Sequence, residues 1–320
     1  MSVNVLGRDV LICHGVWIVL QLLPPYNPKM TAQMYVDVSL QQHLLNNLSV
    51  LVFLFLFDRI LLCNFLPISK VHHKLQARWF FCHACANLGV VIAAVPSIVA
   101  VFKDPLNAMN PVMHADTSVW GSGSIWPLTI INSVHIYHMV GGFGLSSSDY
   151  FHHLMFIPTL GFPGQIFAFG AGANWQGFFI SGLPGGIDYF YLGLLKLGIS
   201  DKMAQKRLSS NLNVWVRAPG ILSATFILYQ SVIYNIVAVP WWTIVLQLLL
   251  PPYNALYYSK QSVANYAVHY MLGKLGQGAL LNNVKQRVSV TIGAEIMDWE
   301  HALATVLPKK DIQHVARGGS

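Results

Sequence analysis

The chain has 320 residues, of which 54% are hydrophobic and only 10% charged, with a net charge of +7. A soluble domain carries about 25% charged residues, so this composition excludes a disordered chain, a nucleic-acid-binding domain and an ordinary cytosolic enzyme. A mean hydropathy of +0.51 fits a chain that crosses a bilayer several times.

The basic residues lie in short loops between apolar runs, where they report orientation rather than a polyanionic partner. The four cysteines sit inside or beside apolar runs and form no disulfide framework. Arg8 and Asp9, ahead of a short apolar run without a small-residue cleavage site, make a poor signal peptide.

A crossing helix needs about 20 apolar residues. In chain order, Val10 to Leu23 is short for a span and can equally lie in the interface. Leu48 to Leu66, Trp79 to Phe102 and Val119 to Leu145 follow. Next come Tyr150 to Phe169 and Trp175 to Gly198, and then Ala218 to Tyr258, long enough for two crossings broken at Pro240. The expected fold is an all-α, polytopic transmembrane helical bundle of seven or eight spans. Its parts are an N-terminal segment (1–45), a transmembrane domain (46–258) and a polar cytosolic tail (259–320), where Met271 to Val290 suits a basic interfacial helix.

Charge asymmetry orients the bundle. One side receives Arg8, Lys70, Lys74, Arg78, Lys202, Lys206, Arg207 and Arg217; the other receives Lys29 and Lys103, offset by Asp37, Asp104 and Asp116. The positive-inside rule therefore puts the N-terminus, the basic loops and the tail in the cytosol. Trp79, Trp120, Trp175, Trp241 and Trp242 suit interfacial anchors. The stretch from Trp17 to Asn27 recurs nearly intact from Trp242 to Asn254, and its Pro-Pro-Tyr-Asn ending reads as a helix stop at the membrane exit.

The histidines are the chemical signal. His135 and His138 are three residues apart and share a helical face. After a Gly/Ser loop, Asp149 opens the next span, with His152 and His153 one turn on. At 1.5 Å per residue the pair lies roughly 5 Å inside the membrane and His138 roughly 10 Å. Cys82, His83 and Cys85 start the neighbouring span at similar depth, after His72 and His73. Seven of the thirteen histidines thus converge on the cytosolic end of three spans.

Asp149 can touch both imidazoles of the His152/His153 pair, fixing a tautomer and raising basicity, or it can simply cap its helix. His135 and His138 can contact substrate or glue helices together. Cys82-His83-Ala84-Cys85 reads as packing rather than a metal motif. Asp58 and Arg59 are adjacent and do not face each other on an α-helix, so Arg59 is expected to snorkel and Asp58 to face a polar interior. Asp188, near mid-span, is a candidate by depth alone.

The block Asp149-Tyr-Phe-His152-His153-Leu-Met-Phe-Ile-Pro-Thr159 resembles the TLC-domain family of membrane proteins, which includes the ceramide synthases. Looser similarity covers Lys70 to Tyr258, including Arg78-Trp79-Phe80 with His83 and Asn87, and Asn213-Val-Trp-Val-Arg217. The resemblance implies a TLC-like bundle in the endoplasmic reticulum. It implies that His152 and His153 serve acyl transfer from acyl-CoA to a lipid amine. Asp188 and Lys196 resemble the end of the family's second block, whose His-Asp half is missing here.

Three readings stay open. The first is His-dependent acyl transfer, with His152, His153, Asp149 and Asp188 catalytic and His135, His138 and His83 binding substrate. In that reading acyl-CoA is a co-substrate and no metal or other cofactor is needed. The second is lipid binding or regulation without turnover, with Gly164, Gly170, Gly172 and Gly177 allowing close helix packing. The third is a metal-dependent lipid hydroxylase, whose histidine boxes are not matched. The expected partners are a membrane lipid and acyl-CoA, not nucleic acid, and a homodimer is left open.

Overall fold

A computed structural model describes residues 34–66, 71–145 and 147–284. Val10 to Leu23, the first copy of the repeat and the end of the tail lie outside the described residues. The described chain is helical, with one isolated antiparallel bridge between Tyr35 and Phe167. Its helices are α1 (Leu40–Phe65), α2 (Val71–Lys103), α3 (Trp126–Val140), α4 (147–166), α5 (Gly170–Lys196), α6 (Lys202–Ile233) and α7 (Trp241–Val284).

Four of these, α1, the Lys74–Lys103 part of α2, α5 and α6, are long and apolar enough to cross a membrane, among the described residues. Length and composition support these four of the seven or eight expected crossings. The expected span from Val119 to Leu145 is helical only over Trp126–Val140, because Gly121-Ser-Gly-Ser124 builds turns ahead of it.

Apolar side chains face outward along the crossing helices. Leu48, Val52, Phe55, Leu88, Ile92, Val99, Phe190, Leu222 and Phe226 are all exposed. An outer belt of this kind is a liability in water and suits lipid.

The helices are not regular. Wide π turns interrupt α1 at Phe57–Leu62, α4 at Ile157–Gly161, α5 at Phe178–Gly182 and α6 at Asn213–Arg217. In the last three, a proline (Pro163, Pro184, Pro219) sits two residues after the wide turn. A proline ring clashes with the carbonyl four residues earlier, and widening the preceding turn relieves that clash without breaking the helix.

Pro251 and Pro252 do not stop a helix; α7 runs through them, and past the expected tail boundary at Ser259, to Val284. Pro240 does mark the break. Asn235, with φ 54°, turns the chain after α6, and α7 starts at Trp241. The stretch Lys202 to Arg217, expected as a basic loop, is helical, so Arg217 falls midway along α6.

Buried polar side chains join the helices where no water can. Asn132 Nδ2 donates to Gln165 Oε1 at 2.7 Å, and Gln165 Nε2 donates to Thr129 Oγ1 at 3.0 Å. Ser133 Oγ donates to Asn47 Oδ1 at 3.1 Å, tying α3 to α1. At the opposite end from the histidines, Ser97, Asn174 and the Ser122 and Ser124 carbonyls knit the 104–125 loop to α2 and α5. In that loop, Asp104 accepts from the Asn107 side chain and backbone, which holds its carboxyl below the usual range.

Glycines set close approaches. Gly172 faces Met109, and Gly177 faces Ile131. A Cβ on Gly220 would fall 2.0 Å from Cγ of Phe179, at the root of a ring that cannot swing away. Gly220→Ala is therefore expected to cost about 1–3 kcal/mol through overpacking. A lowered melting midpoint in detergent would register it, and an unchanged midpoint would contradict this packing.

Candidate functional site

Five histidines meet between α2, α3 and α4. The local cause is helical spacing: His135 and His138 share one face of α3, and the first turns of α4 carry His152 and His153 toward it. His83 of α2 closes the group. Ring centroids lie 5.4 Å apart for His83 and His135, 5.0 Å for His135 and His153, and 5.9 Å for His135 and His152. The side chains of His72 and His73 lie outside the described residues.

Hydrogen-bond partners assign the neutral tautomers. His135 Nδ1 donates to the Ile131 carbonyl at 2.6 Å, so its Nε2 carries the lone pair. His153 Nδ1 donates to the backbone carbonyl of Asp149. Its Nε2 therefore accepts, and the N–H comes from His138 Nδ1 at 3.2 Å. His152 Nδ1 faces the Tyr258 hydroxyl of α7 at 3.4 Å.

The arrangement sorts the predicted residues. His135 and His152 line an apolar cavity of about 90 Å³, together with Leu128, Ile131, Phe156, Leu160 and Leu228. It reaches Met109 and Phe169 near the far loop, and Asn132, Gln176, Gln247 and Asn254 supply its other polar groups. His138 and His153 form a hydrogen-bonded pair beside it, both buried. His83 packs between Trp79 and Tyr189, its ring 4.0 Å from that of Tyr189. Asp149 meets His153 through its backbone carbonyl.

Asp188 does not join the histidines. Its two carboxylate oxygens accept from Gln205 Nε2 at 2.9 Å and Ser209 Oγ at 3.0 Å, both on α6. The Thr159 hydroxyl bonds back to the Met155 carbonyl. Cys82 packs with Leu54 and Tyr137 in an apolar cluster, as a packing residue would.

Two tryptophans expected at the membrane surface are core residues. Trp79 stacks on His138 with an interplanar angle of 12°, and Trp175 Nε1 donates to Ser223 Oγ at 3.0 Å. Trp120, Trp241 and Trp242 are exposed, as anchors would be.

Sequence reasoning missed the ion pair that braces the site. Asp58, fully buried, accepts from Arg78 Nε at 2.7 Å and Arg78 Nη2 at 2.5 Å, and from the Tyr137 hydroxyl at 2.8 Å. The Arg59 side chain is part-exposed; its Nη2 donates to the Gly141 carbonyl, and its Nε lies 3.4 Å from Asp58. The wide turn at Phe57–Leu62 carries both neighbours. Arg78 and Trp79 are adjacent, as are Tyr137 and His138, so the pair fixes the two helices that hold His138 in its stack.

No group of three or more His, Cys, Asp or Glu among the described residues is arranged to hold a metal ion. No family model matches the chain, and no curated protein or solved structure shows significant similarity to it. The class is therefore set by the molecule itself. Among the described residues it is an all-helical protein with four helices fit to cross a membrane and a histidine cluster beside a largely apolar cavity.

Proposed function

We propose that this protein acts on a membrane lipid, transferring an acyl group from acyl-CoA to a lipid amine or hydroxyl. The observation that carries the reading is His135, whose Nδ1 is committed to the Ile131 carbonyl and whose ring lines a largely apolar cavity shared with His152. A base held in one tautomer beside an apolar cavity is what such a transfer needs. The likeness of Asp149 to Thr159 to the TLC-domain block supports the same chemistry, and with it an endoplasmic reticulum membrane.

In this reading His135 Nε2 takes the proton of the acceptor N–H or O–H as the acceptor attacks the thioester carbonyl carbon. The tetrahedral intermediate collapses, the C–S bond breaks, and the proton passes from the imidazolium to the departing sulfur. His152 shares the cavity and orients the reacting groups. His153 and His138 are positioning residues. Asp188, engaged by α6, has no part in the step.

Lipid binding without turnover is the second reading, favoured by Gln176, Gln247 and Asn254, which give the cavity neutral headgroup contacts. Lipid extracts from cells expressing the wild type or a His135→Ala/His152→Ala variant separate the two. New acylated lipids in the wild type alone are expected. Identical extracts from well-expressed proteins would sink the acyl-transfer reading.

A further inference from the structure

Asn132 of α3 lines the cavity, and a relay of hydrogen bonds fixes which way its amide points. The Thr129 hydroxyl donates to the Ile125 carbonyl at 2.9 Å, so its oxygen accepts from Gln165 Nε2 at 3.0 Å. Gln165 Oε1 in turn accepts from Asn132 Nδ2 at 2.7 Å. The relay starts at a carbonyl, which can only accept, so each amide in it has one allowed orientation. Asn132 spends its NH2 there, and its fully buried Oδ1 has no donor among the described residues.

A second amide of the cavity wall ends in the same state. Gln247 of α7 is buried and turns its Nε2 to the Leu160 carbonyl at 3.4 Å. Its Oε1 also has no donor among the described residues. The two amides meet α4 at adjacent positions, Gln247 at Leu160 and Asn132 at Gly161, within the wide turn Ile157–Gly161. Leu160 and Gly161 both line the cavity. Asn132 and His135 share a face of α3, and the lone pair of His135 Nε2 adds a third acceptor. Among the described residues that line the cavity, none is Asp, Glu, Lys or Arg. Its volume of about 90 Å³ is several times the room one water needs, and most of its wall is apolar.

Buried acceptors left without donors are costly, so this wall calls for a ligand that donates. An ionised carboxylate or phosphate brings only further acceptors. An ammonium donates, but burying its charge without a counter-ion costs more than the hydrogen bond returns. A hydroxyl donates and is neutral. We infer that Asn132 Oδ1 and Gln247 Oε1 bind the hydroxyl of a neutral lipid alcohol, whose alkyl body lies along the apolar wall. The inference deepens the acyl-transfer reading and rests on it for turnover: the hydroxyl, held one turn from His135, is the acyl acceptor in preference to an amine.

The test measures binding to the full-length protein in neutral detergent at pH 7, with dodecanol, methyl dodecyl ether and dodecylamine as probes. Dodecanol is expected to bind about tenfold tighter than the ether, the factor a hydrogen bond to a buried acceptor supplies. It is expected to exceed dodecylamine, which is charged at this pH, by at least as much. Gln247→Met, which keeps the bulk and removes the acceptor, is expected to shrink the preference for alcohol over ether. Gln247→Glu is expected to shift the preference toward dodecylamine. The wild-type comparison carries the test if either variant does not fold. Equal binding of dodecanol and its ether would mean that buried water satisfies the acceptors and would overturn the site. Dodecylamine binding as tightly as dodecanol would overturn the neutral-alcohol assignment. With acyl-CoA added, a dodecyl amide formed in place of the ester would overturn the inference and leave acyl transfer standing. Selective dodecanol binding with no ester formed would uphold the site and sink the acyl-transfer reading instead.

Discussion

Asp58→Ala is expected to leave little folded protein. The substitution strands the Arg78 guanidinium, whose Nε and Nη2 both donate to Asp58, inside the bundle. It also removes the acceptor of the Tyr137 hydroxyl. Breaking a buried pair from one side costs about 3–5 kcal/mol, because the surviving charge keeps its desolvation penalty. That is a large share of the roughly 5–15 kcal/mol that holds a domain together. An Asp58→Ala/Arg78→Met variant, which removes both charges, is expected to recover much of the loss. Monodispersity and melting midpoint in detergent would show this. If the single and double variants melt alike, the pair does not brace the helices as described.

The second large effect concerns turnover. His135→Ala is expected to lower acyl transfer by about 10²–10⁴-fold, the usual contribution of a positioned base. His153→Ala is expected to lower it less, because His153 acts through its hydrogen bond to His138. Asp188→Asn is expected to leave turnover within a few fold, since Asn can still accept from Gln205 or Ser209. Rates from initial product formation would rank the three. A ranking that put Asp188→Asn below His135→Ala would contradict the division of roles.

Local spacing carried much of this site into the sequence. His135 with His138, and Asp149 with His152 and His153, are one-turn relations, which a helix fixes without tertiary information. Their convergence with His83 followed from charge-based topology, which brings three helix ends to one side. What spacing does not encode is which imidazole lines the cavity. His152 and His153 are neighbours in sequence, yet one faces the cavity and the other a partner histidine.

The bracing pair was hidden for a related reason. Asp58 and Arg78 belong to different helices, and a π turn lets adjacent charges act together where α-helical geometry would separate them. Trp79 and Trp175 stand near helix ends, so they read as anchors, although each fills the interior. Pro251 and Pro252 read as a stop, yet the helix passes through them. Pro240 was legible because it interrupts an apolar run long enough for two crossings, and the chain does turn at Asn235 before α7 starts at Trp241.

The central claim is tested most directly in lipid nanodiscs, with purified protein, labelled acyl-CoA and a panel of amine and hydroxyl lipids. The account predicts one labelled acyl lipid, formed with release of free thiol, and none from the His135→Ala/His152→Ala variant. Label that stays wholly on acyl-CoA across the panel, with protein that still binds lipid, would contradict it and leave a lipid-binding bundle in its place.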